Sequence, residues 1–375
     1  MVTVKLNQTE TDVFVLGGGP AGLAAAISAR QQGLRATVAD IQRPPIDKAC
    51  GEGLMPDSMD ELHRLGVSLE GKPQGSFRGI RFIGPKHCVE SEFPRGRGVG
   101  IRRTVLHQAL IDTAERLGVD MLWESRVGAL RPGAVLVNGD IMRCKWIVGA
   151  DGQKSHIRKW AGLTAGKVFE RRFALRQHFI TEEPPQFVEI YWGDDSQAYI
   201  TPMAPNEICV AVIATRKLGS FETEIAKLSR LQERLRSASA SSTVRGAITV
   251  SSRLKRVHTD TVALIGEASG SVDAITGQGL ALSFRQALSL GQAFAAKDLR
   301  IYGRMHREID ALPQFMRRTM LLMDKSSTVR NRALRAFEAK PSLFERMLAV
   351  HVGELPLLKF GAGAVASLGW QMLTA

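Results

Sequence analysis

One stretch of the chain decides its fold: residues 12–22 spell Asp-Val-Phe-Val-Leu-Gly-Gly-Gly-Pro-Ala-Gly. The apolar half of this stretch is typical of a buried strand, and the alanine-rich run at 23–32 is typical of a helix. The first glycine, Gly17, permits a tight turn. Gly19 lets a pyrophosphate approach the backbone, and Gly22 lets the helix pack closely on the strand. The stretch therefore predicts a strand–turn–helix unit whose helix begins at bound phosphates.

The next strand supports a dinucleotide as the ligand. Residues 35–39 are predicted to form this strand, which ends at Asp40, whose carboxylate is placed to accept hydrogen bonds from the ribose hydroxyls of an adenosine. Ala26 and Gly33 stand in register with this pattern. The first motif by itself does not distinguish FAD from NAD.

Two later strand–turn motifs distinguish them. The apolar run 147–150 leads into Asp151-Gly152, and the run 261–265 leads into Gly266-Glu267. These turns resemble the Asp-Gly and Gly-Asp motifs of the flavoprotein superfamily that includes p-hydroxybenzoate hydroxylase and geranylgeranyl reductase. With the first motif, the resemblance spans roughly residues 10 to 300. It implies FAD as the cofactor and NAD(P)H as a transient electron donor.

The resemblance also implies roles for individual residues. The cofactor-binding set that it gives is Gly17, Gly19, Gly22, Asp40, Arg103, Asp151, Glu267, Gly277 and Gly279. Arg103 matches the arginine of an RxxLxxxL helix, and Asp151 matches a residue implicated in both FAD and NAD(P)H contacts. Glu267 departs from the family, which has aspartate there, so its carboxylate extends one methylene further. Asp151 as a turn-shaping residue and Arg103 as a surface ion pair stay open as alternatives.

A cysteine-bearing loop is the most distinctive remaining segment. Residues 48–54 read Lys-Ala-Cys-Gly-Glu-Gly-Leu, which looks like the KxCGxGL stretch of geranylgeranyl reductases. That resemblance implies that the loop passes close to the flavin ring, with Lys48 and Gly51 near the cofactor and Cys50 facing the active site. Cys50 is expected either to deliver a proton or to serve as a small apolar filler.

The positions of the motifs predict an α/β fold with a discontinuous domain. We expect a Rossmann-like FAD-binding domain with a parallel sheet from residues 8–70, 98–170 and 255–298. Residues 71–97 and 171–254 would form an inserted antiparallel-sheet substrate domain, and 299–375 a helical C-terminal region. Polar residues inside the predicted substrate-domain strands are candidates for the substrate pocket. They are Arg176, Glu189, Tyr191, Tyr199 and Thr201, with His178 as a candidate catalytic base.

Composition narrows the class of protein. The 375 residues are 44% hydrophobic and 23% charged, as in a globular protein long enough for two domains. The four cysteines form no CxxC pair, so neither a metal site nor a disulfide framework is expected. No signal peptide is visible, and a cytoplasmic location is expected. The net charge of +13 suits anionic partners, but no motif indicates nucleic-acid binding. The basic segment 297–346 is expected to lie on the inner face of the membrane, to cap the substrate channel or to pack on the body.

Three functions are consistent with these motifs. The first is an NAD(P)H-dependent flavin monooxygenase that hydroxylates an apolar aromatic, quinone or polyketide-type substrate. The second is a reductase of isoprenoid double bonds, which the cysteine loop suggests. The third is a membrane-docked electron-transfer flavoprotein. Four scattered cysteines cannot hold the iron–sulfur cluster that the third function usually involves.

Overall fold

The computed structural model describes residues 9–360. The strands, in chain order, are β1 (Glu10–Leu16), β2 (Ala36–Ala39), β3 (Gly53–Leu54), β4 (Gly75–Phe77), β5 (Gly79–Ile83), β6 (Cys88–Glu92), β7 (Gly98–Gly100), β8 (Asp120–Leu122), β9 (Val127–Arg131), β10 (Ala134–Val137), β11 (Asp140–Gly149), β12 (Gly166–Ile180), β13 (Val188–Trp192), β14 (Gln197–Ala204), β15 (Glu207–Ala214), β16 (Ser239–Ala240), β17 (Arg245–Leu254), β18 (Val262–Leu264) and β19 (Gly270–Ser271). The α-helices are α1 (Pro20–Gln31), α2 (Pro56–Arg64), α3 (Arg103–Arg116), α4 (His156–Trp160), α5 (Phe221–Ala226), α6 (Ser229–Arg234), α7 (Gly279–Ala295), α8 (Leu299–Lys325), α9 (Ser327–Ala339), α10 (Pro341–His351) and α11 (Leu357–Phe360).

The first sheet has the strand order β8-β2-β1-β11-β10-β9, and β18 pairs with residues 147–149 of β11 on the side away from β1. β8, β2, β1, β11 and β18 run parallel, whereas β9 and β10 form antiparallel pairs beside β11. The dipeptide Asn138-Gly139 predicts a hairpin turn, and this turn joins β10 to β11. Side chains of α1, α3 and α7 pack with this sheet in one core. This is the Rossmann-like α/β architecture expected from the sequence.

The register of three parallel strands brings the three motif turns together. Leu16 at the end of β1 pairs with Gly149 at the end of β11, and Gly149 pairs with Leu264 at the end of β18. The turn after each strand therefore emerges at the same edge of the sheet, where open α/β sheets bind ligands. Gly17 has φ +113°, and a Cβ there would stand 2.3 Å from the carbonyl oxygen of Ala150. Only glycine permits the first turn to touch the second so closely.

The second sheet is antiparallel apart from one strand pair. Its order is β19-β17-β12-β15-β14-β13-β5-β6, with β16 beside β12 and with β13 parallel to β5. One face packs against the helices α8 to α10, and the other packs against α5 and α6. Two details differ from the sequence expectation. The sequence predicts no strand at 245–254, where β17 lies, and it predicts one helix over 222–236, where the structure has the two short helices α5 and α6.

A buried network joins the C-terminal helices to the second sheet and to the loop before α7. Arg172 on β12 is 2% exposed, and its Nε lies 2.5 Å from Oδ1 of Asp273 in the loop before α7. The Nη2 of Arg172 lies 2.7 Å from Oδ2 of Asp324, near the end of α8. Paired in this way, the buried guanidinium fixes the position of α8 against the second sheet.

The expected domain boundaries stay predictions, and β12 begins at Gly166, inside the range expected for the FAD-binding domain. Residues 361–375 of the predicted helical region lie outside the described residues. Among residues 9–360, no helix combines the length and the apolar character needed to cross a bilayer.

Candidate active site

A single cavity of about 1430 Å³ connects the three motif turns, the cysteine loop, the second sheet and the C-terminal helices. A site for one small ligand typically measures about 300–1,000 Å³, so this cavity has room for a large cofactor and a second molecule. The residues singled out from the sequence that line it are Gly17, Gly19, Asp40, Lys48, Cys50, Gly51, Arg103, Asp151, Arg176, Tyr199, Thr201, Glu267, Gly277 and Gly279.

The end of the cavity at α1 is suited to phosphate. A Cβ added to Gly19 would meet no atom within 4 Å, so the bare backbone faces open space where α1 begins. Arg103 lines the same cavity, and its Nε is buried without a hydrogen-bond partner. A buried donor of this kind requires an acceptor. Helix N–H groups together with this cation therefore fit the pyrophosphate of a dinucleotide.

Gly22 has a different role from Gly19 and does not line the cavity. A Cβ there would stand 1.8 Å from the carbonyl oxygen of Gly17. Its lack of a side chain allows α1 to pack against the end of β1, as the motif requires.

Two aspartates shape the turns and remain accessible to a ligand. Asp40 accepts the backbone N–H of Gly18 at 2.7 Å and that of Gln42 at 2.8 Å, each with a different oxygen. Asp151 accepts the N–H of His156 at 2.6 Å, at the beginning of α4. The other carboxylate oxygen of Asp151 is buried without a partner. The turn-shaping role left open for Asp151 is thus present, and a ligand-binding oxygen remains beside it.

Glu267 occupies the third motif turn and pairs with the cysteine loop. Its Oε2 lies 2.7 Å from the Nζ of Lys48, and both side chains are partly exposed. The additional methylene of glutamate lets the carboxylate reach across to this loop. The ion pair connects two elements that border the same cavity.

The cysteine loop is fixed to the second sheet by polar contacts. Thr201 on β14 donates its hydroxyl to the carbonyl oxygen of Gly51 at 2.8 Å. The thiol of Cys209 on β15 lies 3.7 Å from the carbonyl oxygen of Cys50. The sulfur of Cys50 accepts the N–H of Glu52 at 3.4 Å. These contacts hold Cys50 at the cavity wall.

Glu52 is a site residue that sequence reasoning missed. It lines the cavity, is 3% exposed and has a left-handed backbone with φ +57°. Its carboxylate accepts the N–H of Arg103 at 3.0 Å and lies 2.6 Å from Nε2 of His178. A glutamate flanked by Gly51 and Gly53 was the available signal, because a charged residue in a glycine-rich loop next to a cofactor is rarely solvated.

His178 contacts Glu52 and does not line the cavity, in contrast to its expected place at the substrate. The ligand atoms of Glu52, His178 and Cys209 lie within 4.8 Å of one another, a spacing that also occurs in metal sites. However, a guanidinium nitrogen of Arg176 stands 3.2 Å from Nδ1 of His178. Burial raises the pKa of the Cys209 thiol well above its usual range. A nearby cation and a protonated thiol favour a hydrogen-bonded cluster over a metal site.

Glu189 and Tyr191 also lie away from the cavity, contrary to the expectation that they line the substrate pocket. The Tyr191 hydroxyl donates to Glu189 at 2.9 Å, and Glu189 pairs with Arg81 at 3.1 Å. Alternation along β13 does place the two side chains on one face, but that face is turned toward α5 and α6. Val188 and Ile190, whose side chains alternate with those of Glu189 and Tyr191 along β13, line the cavity.

Two histidines of the C-terminal helices complete the wall and were not singled out from the sequence. His306 on α8 and His351 at the end of α10 line the cavity. Burial lowers the pKa of each imidazole to about 4. Both rings are therefore neutral at physiological pH.

Comparison with known proteins agrees with this geometry. The chain matches the FAD binding domain family over residues 10–299. It is 25% identical over 324 residues to a menaquinone reductase of Mycobacterium tuberculosis, covering 77% of each chain. It is 25% identical over 317 residues to a digeranylgeranylglycerophospholipid reductase of Methanothrix thermoacetophila, covering 76% of this chain and 77% of that one.

A solved structure shares the fold. A flavoprotein/dehydrogenase from Cytophaga hutchinsonii superposes with a TM-score of 0.81 at 20% identity, covering 96% of this chain and 98% of that one. The matched family spans more than half of the present chain, including all three motif turns. The chain therefore belongs to the FAD binding domain family, and it is an FAD-dependent oxidoreductase.

Proposed function

We propose that the protein reduces carbon–carbon double bonds of an isoprenoid or similarly long apolar chain, with NAD(P)H as the source of electrons. The observation that carries this proposal is the apolar wall of the cavity beyond the cofactor turns. The second sheet contributes Ile80, Phe82, Val188, Ile190 and Ile213, β4 contributes Phe77, and the C-terminal helices contribute Met316, Met320, Phe344, Met347 and Leu348. A wall of this composition favours a substrate that is apolar over most of its length.

Three polar side chains on this wall have protein partners, although the Nε of Arg176 is buried without one. The Tyr199 hydroxyl lies 2.8 Å from Oε1 of Gln197 and 3.3 Å from the carbonyl oxygen of Ile275. Thr201 donates to Gly51, and Arg176 pairs with Asp47 at 2.6 Å. Few of these groups are left to orient a phenol, which is one reason to rank reduction above hydroxylation. The two reductases similar to this chain are the other reason.

FAD, when bound and reduced, supplies the hydride. Saturation of a double bond also needs one proton, and Cys50 lines the cavity on the loop expected beside the flavin ring. Its sulfur already accepts an N–H from Glu52, so its own S–H is available to donate. Under this proposal Cys50→Ala lowers turnover at least tenfold but leaves FAD binding unchanged. Equal turnover of the variant and the wild type would make Cys50 a filler.

NAD(P)H is supported as the donor by basic side chains on another part of the lining. Three of them lie at the end of β17 or directly after it: Arg253, Lys255 and Arg256. The fourth, Arg307, lies on α8. All four are exposed, and among the described residues no carboxylate lies within ion-pair distance of them. Trp160 on α4 also lines the cavity, is 37% exposed and offers a ring for stacking. Cations and an exposed aromatic ring on the lining of one cavity suit the phosphates and base of a nicotinamide dinucleotide.

The test is a turnover assay with the FAD-loaded protein and NADPH, using menaquinone with an unsaturated side chain as the probe. Mass spectrometry of the reoxidised quinone is expected to show a gain of two hydrogens in the side chain, and the same gain is expected in the absence of air. Incorporation of labelled oxygen from ¹⁸O₂ would instead support the monooxygenase that the motifs also allow. Oxidation of the reduced protein by the quinone with no change in its side chain would support the electron-transfer alternative.

A further inference from the structure

The rim of the cavity carries large apolar side chains that face solvent. On β12, Val168 is 73% exposed and Phe169 is 43% exposed. On α8, Phe315 is 41% exposed and Leu322 is 64% exposed. Phe315 and Leu322 are seven residues apart and so lie on one face of the helix. Several such residues side by side mark an interaction surface, whereas single ones are ordinary.

Two contacts place these segments next to each other. The guanidinium of Arg317 lies 4.6 Å from the centroid of the Phe169 ring. The Nζ of Lys325 lies 3.2 Å from the carboxylate of Glu170. α8 therefore runs along the first part of β12. Phe169 and Arg318 are exposed and line the cavity, so both segments border its opening.

Cations surround these apolar side chains. Lys167, Arg171 and Arg318 are exposed, and no described carboxylate lies within ion-pair distance of any of them. Lys167 also stands directly opposite Arg253 in the β12–β17 register. Like charges that face each other across a strand pair destabilise the sheet. Such an arrangement suits a partner that brings negative charge to the surface.

We infer that this rim surface, formed by Lys167, Val168, Phe169, Arg171, Phe315, Arg318 and Leu322, docks on an anionic lipid bilayer. The apolar side chains would enter the acyl boundary, and the cations would contact the head groups. The cavity would then open toward the membrane, where a long apolar substrate resides. The inference goes beyond the proposed function, because docking requires no turnover.

The test is co-sedimentation of the FAD-loaded protein with vesicles. We expect binding to phosphatidylcholine mixed with phosphatidylglycerol, little binding to phosphatidylcholine alone, and weaker binding at high salt. The double variant Lys167→Glu, Arg318→Glu is expected to bind at least about 30-fold more weakly, because it loses the attraction of two basic residues to an anionic leaflet and adds two repelled carboxylates. The double variant Phe315→Ser, Leu322→Ser is expected to lose about tenfold.

Matched controls come from β11. Ile141, 48% exposed, and Arg143, also exposed, lie outside the rim surface and do not line the cavity. Ile141→Ser and Arg143→Glu are expected to bind vesicles within about twofold of the wild type. Equal binding of the rim and control variants would overturn the inference. So would equal binding of the wild type to neutral and anionic vesicles, or concentration-dependent self-association that only the rim variants abolish.

The result can be separated from the proposed function. A protein that binds anionic vesicles but does not saturate double bonds would contradict the proposed function alone. A protein that reduces a detergent-solubilised substrate but ignores vesicles would contradict the docking surface alone. Neither Phe315 nor Leu322 lines the cavity, so their double variant is expected to retain turnover of the detergent-solubilised substrate.

Discussion

Glu52 and His178 form a buried pair, with Oε2 of the carboxylate 2.6 Å from Nε2 of the imidazole. The other carboxylate oxygen accepts the backbone N–H of Arg103, at the start of α3. One side chain thus connects the cysteine loop, the second sheet and the helix that carries the phosphate-facing arginine. It does so from a left-handed backbone, φ +57°, which non-glycine residues seldom adopt.

Removing the Glu52 carboxylate is expected to be costly. Glu52→Ala leaves His178 and the buried guanidinium of Arg176 without this acceptor, and breaking a buried charged pair typically costs about 3–5 kcal/mol. Glu52→Gln retains an oxygen for the N–H of Arg103 and should cost less. The measurement is urea unfolding of the apoprotein. As a control, Glu90→Ala removes a partly exposed partner of Arg81 and should cost under about 1 kcal/mol. Similar losses for Glu52→Ala and Glu90→Ala would refute this role.

The two motif glycines should respond differently to alanine. At Gly19 the new methyl group meets no protein atom and projects into the space assigned to phosphate, so FAD affinity should fall at least tenfold while apoprotein stability stays within about 0.5 kcal/mol. At Gly22 the methyl group would overlap the carbonyl of Gly17, so stability itself should fall by about 1–3 kcal/mol. Flavin titration and thermal unfolding separate the two effects. Unchanged FAD affinity in Gly19→Ala would rule out phosphate binding at the start of α1.

Two cavity histidines predict acid sensitivity. His306 and His351 have an ordinary pKa of 6.5 when unfolded and a pKa of about 4 when buried in the folded protein. Between these values the unfolded chain binds protons that the folded chain does not. Stability is therefore complete above pH 6.5 and falls as the pH drops to 4, by about 3 kcal/mol for each histidine.

The measurement for this prediction is the free energy of unfolding at several pH values. The double variant His306→Gln, His351→Gln should show a shallower decline between pH 6.5 and 4 than the wild type. Substitution of the exposed His63 is the control and should leave the slope unchanged. A double variant with the slope of the wild type would contradict the assignment.

The Arg172–Asp324 contact should control how firmly α8 is held. Asp324→Ala leaves Arg172 with Asp273 as its remaining carboxylate and also removes the acceptor of Gln197. A hydrogen bond to a charged group is worth about 1.5–3 kcal/mol, so a loss of this size is expected. Amide hydrogen exchange should accelerate in the last turns of α8 and remain unchanged in α3. Uniform acceleration in both helices would mean that Asp324 stabilises the whole fold and has no local role.

Most of the first sheet could be predicted from the sequence because its signals are local. Each cofactor turn joins an apolar run to a glycine at a fixed spacing, and strand, turn and helix all lie within about thirty residues. The same locality allowed the hairpin at 138–139 to be predicted from Asn-Gly. The turns could be placed together because parallel strands end at one edge of a sheet.

The second sheet was harder to predict because its orientation depends on distant elements. Alternation predicted correctly that Glu189 and Tyr191 share a face, but only the positions of α5 and α6 decide which way that face is turned. β17 was missed because it is partly exposed and contains polar residues among its apolar ones, which weakens the periodic signal. Glu52 was missed for a related reason, since its partner His178 is far away in the chain.

The lining of the cavity includes Gly17 and His351, residues from near opposite ends of the described chain. During synthesis, every strand of both sheets has emerged before α8 and α10 appear. A growing chain can therefore assemble the nucleotide-facing turns while the cavity still lacks the apolar wall that α8 and α10 contribute. The cavity is complete only after α8 and α10 leave the ribosome. Premature termination would therefore yield a protein that has the cofactor turns but lacks the helical wall of the cavity.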